Sequence, residues 1–220
     1  INPIIVDKLT SGQHTSRAAV IHAHTLEVLE SIGVSERLVA EGLKLTQFSI
    51  RDRDRVLLRL RFDTLPTRYN FVLMLPQDVT ERILTEALVE AGGAVRWGCT
   101  VESLTETAKG IHACLATSEG KQIVPARYVI GADGMNSLVR ETAGIGFSGG
   151  SHKESFVLAD VSMDWEHGGN EVMLFLSAAG LLVIAPLMAG KYRIVATLEN
   201  APAQPVITDV QALVDSRGPT

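Results

Sequence analysis

Cysteine is nearly absent from the 220 residues. The two present, Cys99 and Cys114, cannot build a disulfide framework, and their spacing is not that of a CxxC redox or metal pair. Both read as reduced structural thiols. Long hydrophobic runs are also missing: Leu181 to Leu187 falls far short of the roughly 20 residues of a membrane-spanning helix. The amino terminus carries no basic region followed by a long apolar stretch, so nothing marks secretion. No block of like charge occurs. Lys and Arg total 20 against 25 Asp and Glu, a net charge of −5, which gives a nucleic-acid surface little electrostatic support. These absences predict a cytoplasmic protein with neither membrane nor nucleic acid as partner. What the chain has is apolar material, 46% hydrophobic with a mean hydropathy of +0.19, enough for one or two packed cores.

Ile4-Ile5-Val6 followed by Asp7 reads as a short strand buried on both faces of a parallel sheet and ending in an acid. From His24 to Glu41 apolar residues recur at helical spacing with a break at Gly33, predicting a helix, a turn and a second short helix. Two apolar runs between Gln47 and Leu60 flank Arg51-Asp52-Arg53-Asp54-Arg55, the pattern of a β-hairpin with a charged tip. Pro76-Gln77-Asp78 precedes a helical run that Gly92-Gly93 ends, with Gln77 or Asp78 as the cap. Runs at 94–97, 111–117 and 122–131 predict a β-meander, and Asn136 to Ala143 a short helix closed by Gly144. Four further strands, 157–164, 171–176, 181–187 and 192–198, recur at roughly ten-residue spacing and predict an antiparallel sheet. The glycine-rich stretch Gly146 to Ser151 reads as a domain boundary. Residues 201–220 read as a linker followed by the start of an amphipathic helix that the chain end truncates.

Asp7 stands where the carboxyl edge of a parallel sheet can hold a ribose diol. Gly131-Ala132-Asp133-Gly134, with Ser137 and Arg140, sets a second acid at a second strand end, where two glycines permit close backbone approach and a new helix begins. Arg140 is placed to brace Asp133 or to meet an anion. His22-Ala23-His24 has no Cys, Asp or Glu at ligand spacing, so no metal site is expected. No nucleophile, triad or general acid is evident, and none is named.

With these segments in view the chain resembles the flavoprotein monooxygenases of the para-hydroxybenzoate hydroxylase type. Their GADGxxSxVR signature, here Gly131 to Arg140, contacts both FAD and the reduced nicotinamide cofactor. Ser16-Arg17-Ala18 through Gly33-Val34 resembles the family's stretch after the ribose-binding acid, which implies that Arg17 lies near the flavin. Pro76 to Glu81 resembles the segment whose glutamine, here Gln77, contacts FAD from a helix start. The resemblance therefore implies a cofactor-binding set of Asp7, Arg17, Gln77, Gly131, Asp133, Gly134, Ser137 and Arg140, with FAD and NAD(P)H as cofactors. It implies an α/β (α+β mixed) fold: part of a Rossmann-like FAD-binding domain over 1–150, with an inserted hairpin at 47–61 and a meander at 94–131, then an antiparallel substrate-domain sheet over 151–200. The implied reaction uses NAD(P)H and O2 to hydroxylate a small phenolic or polyketide-like aromatic ring through a flavin hydroperoxide.

Two of the family's fingerprints are not found, the GxGxxG loop that precedes the ribose-binding acid and a later Gly-Asp segment. The 220 residues thus read as the central portion of a longer enzyme. Three charge-assisted phosphate contacts at roughly 1.5–3 kcal/mol each amount to about three to six decades of flavin affinity, so this stretch alone is expected to bind flavin poorly. A same-fold reductase or halogenase, and a non-catalytic interaction module, are the competing readings; the tryptophan-rich motif of halogenases is not visible. Exposed strand edges are expected, and a homodimer is one way to cover them.

Overall fold

The computed structural model describes residues 3–12, 18–150, 154–202 and 204–220. The chain forms two compact units, Ile1–His14 with Leu84–Ser151, and Thr15–Ile83 with His152–Thr220. In chain order the elements are β1 (Ile5–Val6), β2 (Val20–Ile21), α1 (Ala23–Glu30), α2 (Ser35–Glu41), β3 (Leu43–Leu45), β4 (Gln47–Asp52), β5 (Arg55–Arg61), β6 (Val72–Met74), α3 (Gln77–Glu90), β7 (Val95–Arg96), β8 (Thr100–Thr107), β9 (Gly110–Thr117), β10 (Gly120–Ala126), α4 (Leu138–Thr142), β11 (Ser155–Ser162), β12 (Glu171–Ser177), β13 (Gly180–Pro186), β14 (Lys191–Leu198) and α5 (Ile207–Arg217). The mixed α/β class expected from the sequence is the one observed.

In the first unit β1 pairs in parallel with β7, Ile5 opposite Val95. The meander is an antiparallel sheet in the order β10-β9-β8, packed around Cys99, Ala113 and Leu115. Its first strand is not 94–97, which pairs with β1, but β8. A bulge between Val101 and Ser103 breaks the period-two alternation that would have marked β8 in the sequence. The third strand was expected to reach Gly131 and ends at Ala126. No described strand pairs with 128–131, and Tyr128 and Ile130 are 83% and 90% exposed. Nor is β1 buried on both faces, since Ile4 and Ile5 are exposed.

In the second unit Ser35 links α1 and α2 by donating from its hydroxyl to the Leu26 carbonyl at 2.6 Å, so the Gly33 break carries a buried bond rather than a loose turn. Helix α3 begins at Gln77, and the Pro76 carbonyl accepts from Val79 and Thr80 N–H. The cap position is therefore Pro76 and not Gln77 or Asp78. Strands β2, β6 and β3 form a small antiparallel sheet in that order. The four strands expected after residue 155 form as antiparallel neighbours, β11-β14-β13-β12.

The hairpin β4–β5, expected within the first 150 residues' domain, extends that same sheet to six strands. β4 lies parallel to β12, with Val172 opposite Phe48. Alternation then sorts the faces. Met173, Phe175, Ile184 and Ile194 point to a core closed by Val210 and Leu213 of α5, while Val172, Ala185 and Leu187 point the other way, toward Ala19, Leu45, Val72 and Met74. Helix α5 runs to Arg217, where Gly218 N–H donates to the Val214 carbonyl. Arginines meet the carbonyl-rich end of α5. Arg53 donates to the Asp215 and Gly218 carbonyls, and the buried Arg217 donates from the helix to the Leu181 and Thr197 carbonyls of β13 and β14.

Candidate functional site

Asp7 follows β1 directly and sits at the carboxyl end of a parallel pair, where its N–H donates to the Arg96 carbonyl and its carbonyl accepts from Cys99 N–H. One carboxylate oxygen, Oδ1, accepts from Leu9 N–H at 2.8 Å, an Asx turn that fixes the side chain at the strand end. The second oxygen takes part in no hydrogen bond with the described residues, which leaves acceptor capacity for a diol.

In the same unit the 131–140 segment folds on itself. Asp133 Oδ1 accepts from the Ser137 hydroxyl at 2.5 Å, and Oδ2 accepts from Val139 N–H at 3.3 Å. Ser137 is the N-cap of α4, its Oγ accepting from Arg140 N–H at 3.0 Å. The hydroxyl therefore donates to the acid and caps the helix at once. Its donation is the main reason the Asp133 carboxyl is held below its ordinary value of 3.8, with the backbone N–H groups of the turn adding to it. Gly131 leaves no room for a side chain, since a Cβ there would lie 2.7 Å from Val139 Cβ. Gly134 adopts φ +78, a left-handed conformation that a glycine takes without strain, and no atom lies within 4 Å of where its Cβ would be. Arg140 does not brace Asp133 with its side chain. Its Nη1 donates to the Met135 carbonyl at 2.9 Å, and the guanidinium lies 4.4 Å over the Phe147 ring.

In the second unit Gln77 opens α3, as expected. Its Oε1 accepts from Ala18 N–H at 3.4 Å, and its Nε2 donates to Glu81 Oε1 at 2.9 Å. The structure thus brings Gln77 to the residue next to Arg17, although Arg17 itself lies outside the described residues. Sequence reasoning missed two ion pairs of the large sheet: Arg193 with Asp160, joined by two bonds of 2.8 Å, and Arg51 with Glu171 at 3.3 Å. An arginine or glutamate in an alternating strand reads as solvent-facing, and nothing local distinguishes these.

The sheet face opposite α5 carries a row that crosses all six strands in register: Leu58, Ile50, Leu174, Val183, Val195 and Leu158. All are aliphatic, and none is fully buried. At a strand spacing of about 4.8 Å the row is about 24 Å long.

A family model described as an FAD binding domain matches residues 1–200. The chain belongs to this family of FAD binding domains. It is 33% identical over 198 residues to pentachlorophenol 4-monooxygenase of Sphingobium chlorophenolicum, covering 87% of this chain and 36% of that protein. It is equally 33% identical over 198 residues to 6-methylpretetramide 4-monooxygenase of Streptomyces rimosus, covering 88% and 35%. The chain spans about a third of the length of these curated relatives. Among solved structures, OxyS anhydrotetracycline hydroxylase from Streptomyces rimosus superposes with a TM-score of 0.75 at 27% identity, over 98% of this chain and 43% of that one. The p-nitrophenol 4-monooxygenase PnpA from Pseudomonas putida shares the fold, with a TM-score of 0.81 at 19% identity over 95% and 54%. FAD is the cofactor of the family to which this chain belongs. No helix of the described residues is long and apolar enough to cross a membrane.

Proposed function

We propose that this chain is part of a monooxygenase that uses FAD, NAD(P)H and O2 to hydroxylate a small aromatic substrate of phenolic or polyketide-like character. The donor set suits FAD. Asp7 keeps a carboxylate oxygen for a ribose hydroxyl, Gly134 offers backbone with open space beside it, and Gln77 stands at a helix start beside Ala18. In this reading Asp7, Arg17, Gln77, Gly131, Asp133, Gly134, Ser137 and Arg140 are the cofactor-binding residues. Bound FAD supplies the redox chemistry, in which NAD(P)H is oxidised and O2 delivers one oxygen atom to the ring and the other to water. The chain's own part is to bind, to orient and to keep water away. Asp133 and Ser137 hold the 131–140 turn in one shape, and the apolar sheet face excludes water from a flat ring laid against it.

The observation that carries the substrate assignment is the row from Leu58 to Leu158, an uncharged surface that suits an aromatic ring and offers nothing to a sugar or a phosphate. Arg193 and Asp160 lie one position along on the same face and pair with each other. The open edges of the six-stranded sheet, β5 and β11, support a homodimer, and the two free cysteines support residence in the cytoplasm. The test is NADH and NADPH oxidation by the full-length protein with FAD, with and without chlorinated phenols and polycyclic phenols. Substrate-stimulated oxidation with a hydroxylated product is the expected result. Flavin binding with no oxygen incorporated from labelled O2 into any of these rings would overturn the reading.

A further inference from the structure

We propose that Phe147 is a positioning residue for the 131–140 turn, acting through Arg140. The proposal rests on the flavin reading only for what the turn holds; the positioning itself rests on geometry. Phe147 is 69% exposed and is not part of the apolar cores described above, so burial does not account for where its ring sits. Its ring contact is the Arg140 guanidinium, 4.4 Å from the centroid, within the range of a cation–π interaction.

Arg140 in turn reaches back across α4. Nη1 donates to the Met135 carbonyl at 2.9 Å, Nη2 lies 3.8 Å from Glu141, and the side chain is only 19% exposed although that of Glu141 is 66% exposed. Downstream of α4 the Ile145 N–H donates to the Arg140 carbonyl at 3.1 Å, which turns the chain so that Phe147 returns to the guanidinium. The arginine is therefore held between a carbonyl of the glycine-rich turn on one side and an aromatic face on the other. The Met135 carbonyl keeps its orientation only while the guanidinium stays over the ring. A glycine-bearing turn has little else to set its shape, because Asp133 and Ser137 fix residues 133 and 137–140 but make no bond to 134–136.

The test uses Phe147→Leu, Phe147→Tyr and Arg140→Lys in the full-length protein, reading backbone hydrogen exchange of residues 131–140 by mass spectrometry together with FAD affinity by flavin fluorescence. Phe147→Leu keeps the apolar volume and loses the π face. We expect its exchange to rise about two- to five-fold, as loss of an exposed cation–π contact implies, with a matching loss of FAD affinity. Phe147→Tyr restores both to wild type, and Arg140→Lys behaves like Phe147→Leu because an ammonium cannot stack and reach Met135 together. Wild-type exchange in Phe147→Leu, or equal damage from Phe147→Tyr, overturns the proposal. If exchange follows the expected pattern while the wild-type protein binds no FAD, the positioning role stands and the flavin reading falls.

Discussion

The pair Arg51–Glu171 ties the hairpin to the large sheet, and removing one member should cost far more than removing both. The side chains are 11% and 10% exposed, and their contact, Nη2 to Oε2 at 3.3 Å, is long. Arg51 has a second partner, its Nε donating to the buried Ser49 hydroxyl at 2.9 Å. Glu171 has no such support: its Oε1 is buried and unbonded. Breaking a buried pair costs about 3–5 kcal/mol because it strands a charge, whereas replacing both ions with apolar groups of similar size is neutral or stabilising. The long contact and the unbonded oxygen put Arg51→Met and Glu171→Leu near the lower bound, about 3 kcal/mol each, roughly a 150-fold change in the folding equilibrium. The double variant should lie within about 1 kcal/mol of wild type. Urea denaturation read by Trp165 fluorescence in a Trp97→Phe background reports on this unit, since Trp165 packs beside Tyr192 against its core. Single variants within about 0.5 kcal/mol of wild type, or a double variant equal to the sum of the singles, would refute the reasoning.

Three further outcomes follow from particular atoms. Gly131→Ala must push a Cβ against Val139 and should cost about 1–3 kcal/mol, more than Gly134→Ala, which meets no atom but carries the strain of φ +78; Trp97 fluorescence in a Trp165→Phe background would rank the two. The Asp133 carboxyl is depressed chiefly by the Ser137 hydroxyl, so the stability it contributes is present above its ordinary 3.8 and lost as pH falls through the lower folded value. Asp133→Asn should therefore be less stable than wild type near neutrality, and the gap should close on acidification, which denaturation midpoints measured down that range would show. Tyr69 is buried and donates to Glu30 at 2.6 Å; burial, then that bond, raises its phenol above 10.0. Its contribution is full below 10.0 and is lost as pH rises through the folded value, so Tyr69→Phe should cost about 1 kcal/mol near neutrality and flatten the alkaline limb of a stability–pH curve.

What the sequence makes legible is local. Helix α3 with its apolar spacing, the break between α1 and α2, and the strands β11 to β14 separated by short turns all depend on neighbours a few residues away, and all form as expected. Pairing over long separations is not legible. The parallel contact of β4 with β12 joins Gln47 to Glu171, and no pattern in either strand names the other. Residues 128–131 show the converse: Tyr128-Val129-Ile130 has every property of a strand, yet a strand exists only beside a partner, and among the described residues none pairs there. At the site, Gln77 at a helix start is legible because it sits at a fixed offset from its element, whereas the helix expected from Asn136 begins at Leu138 with Ser137 as its cap. The direction of Arg140 is not legible, because it depends on Phe147 beyond the far end of α4.

That last point changes what the signature segment does. Read as letters, Gly131 to Arg140 offers an acid, a hydroxyl and an arginine as three groups to meet a ligand. In the fold the acid accepts from the hydroxyl and from Val139 N–H, the hydroxyl caps α4, and the arginine faces a carbonyl and a ring. The polar side chains hold one another, and what they leave outward is backbone, at Gly134 above all, where no atom stands in the way. A turn built this way recognises by shape, because its amides and carbonyls are placed before any ligand arrives and need no reordering on binding. Asp133, Ser137 and Arg140 are each tied to neighbours within or just beyond the segment. The spacing of Asp133, Ser137 and Arg140 carries this arrangement, since a shift of one position would part the cap from its acceptor and its donor.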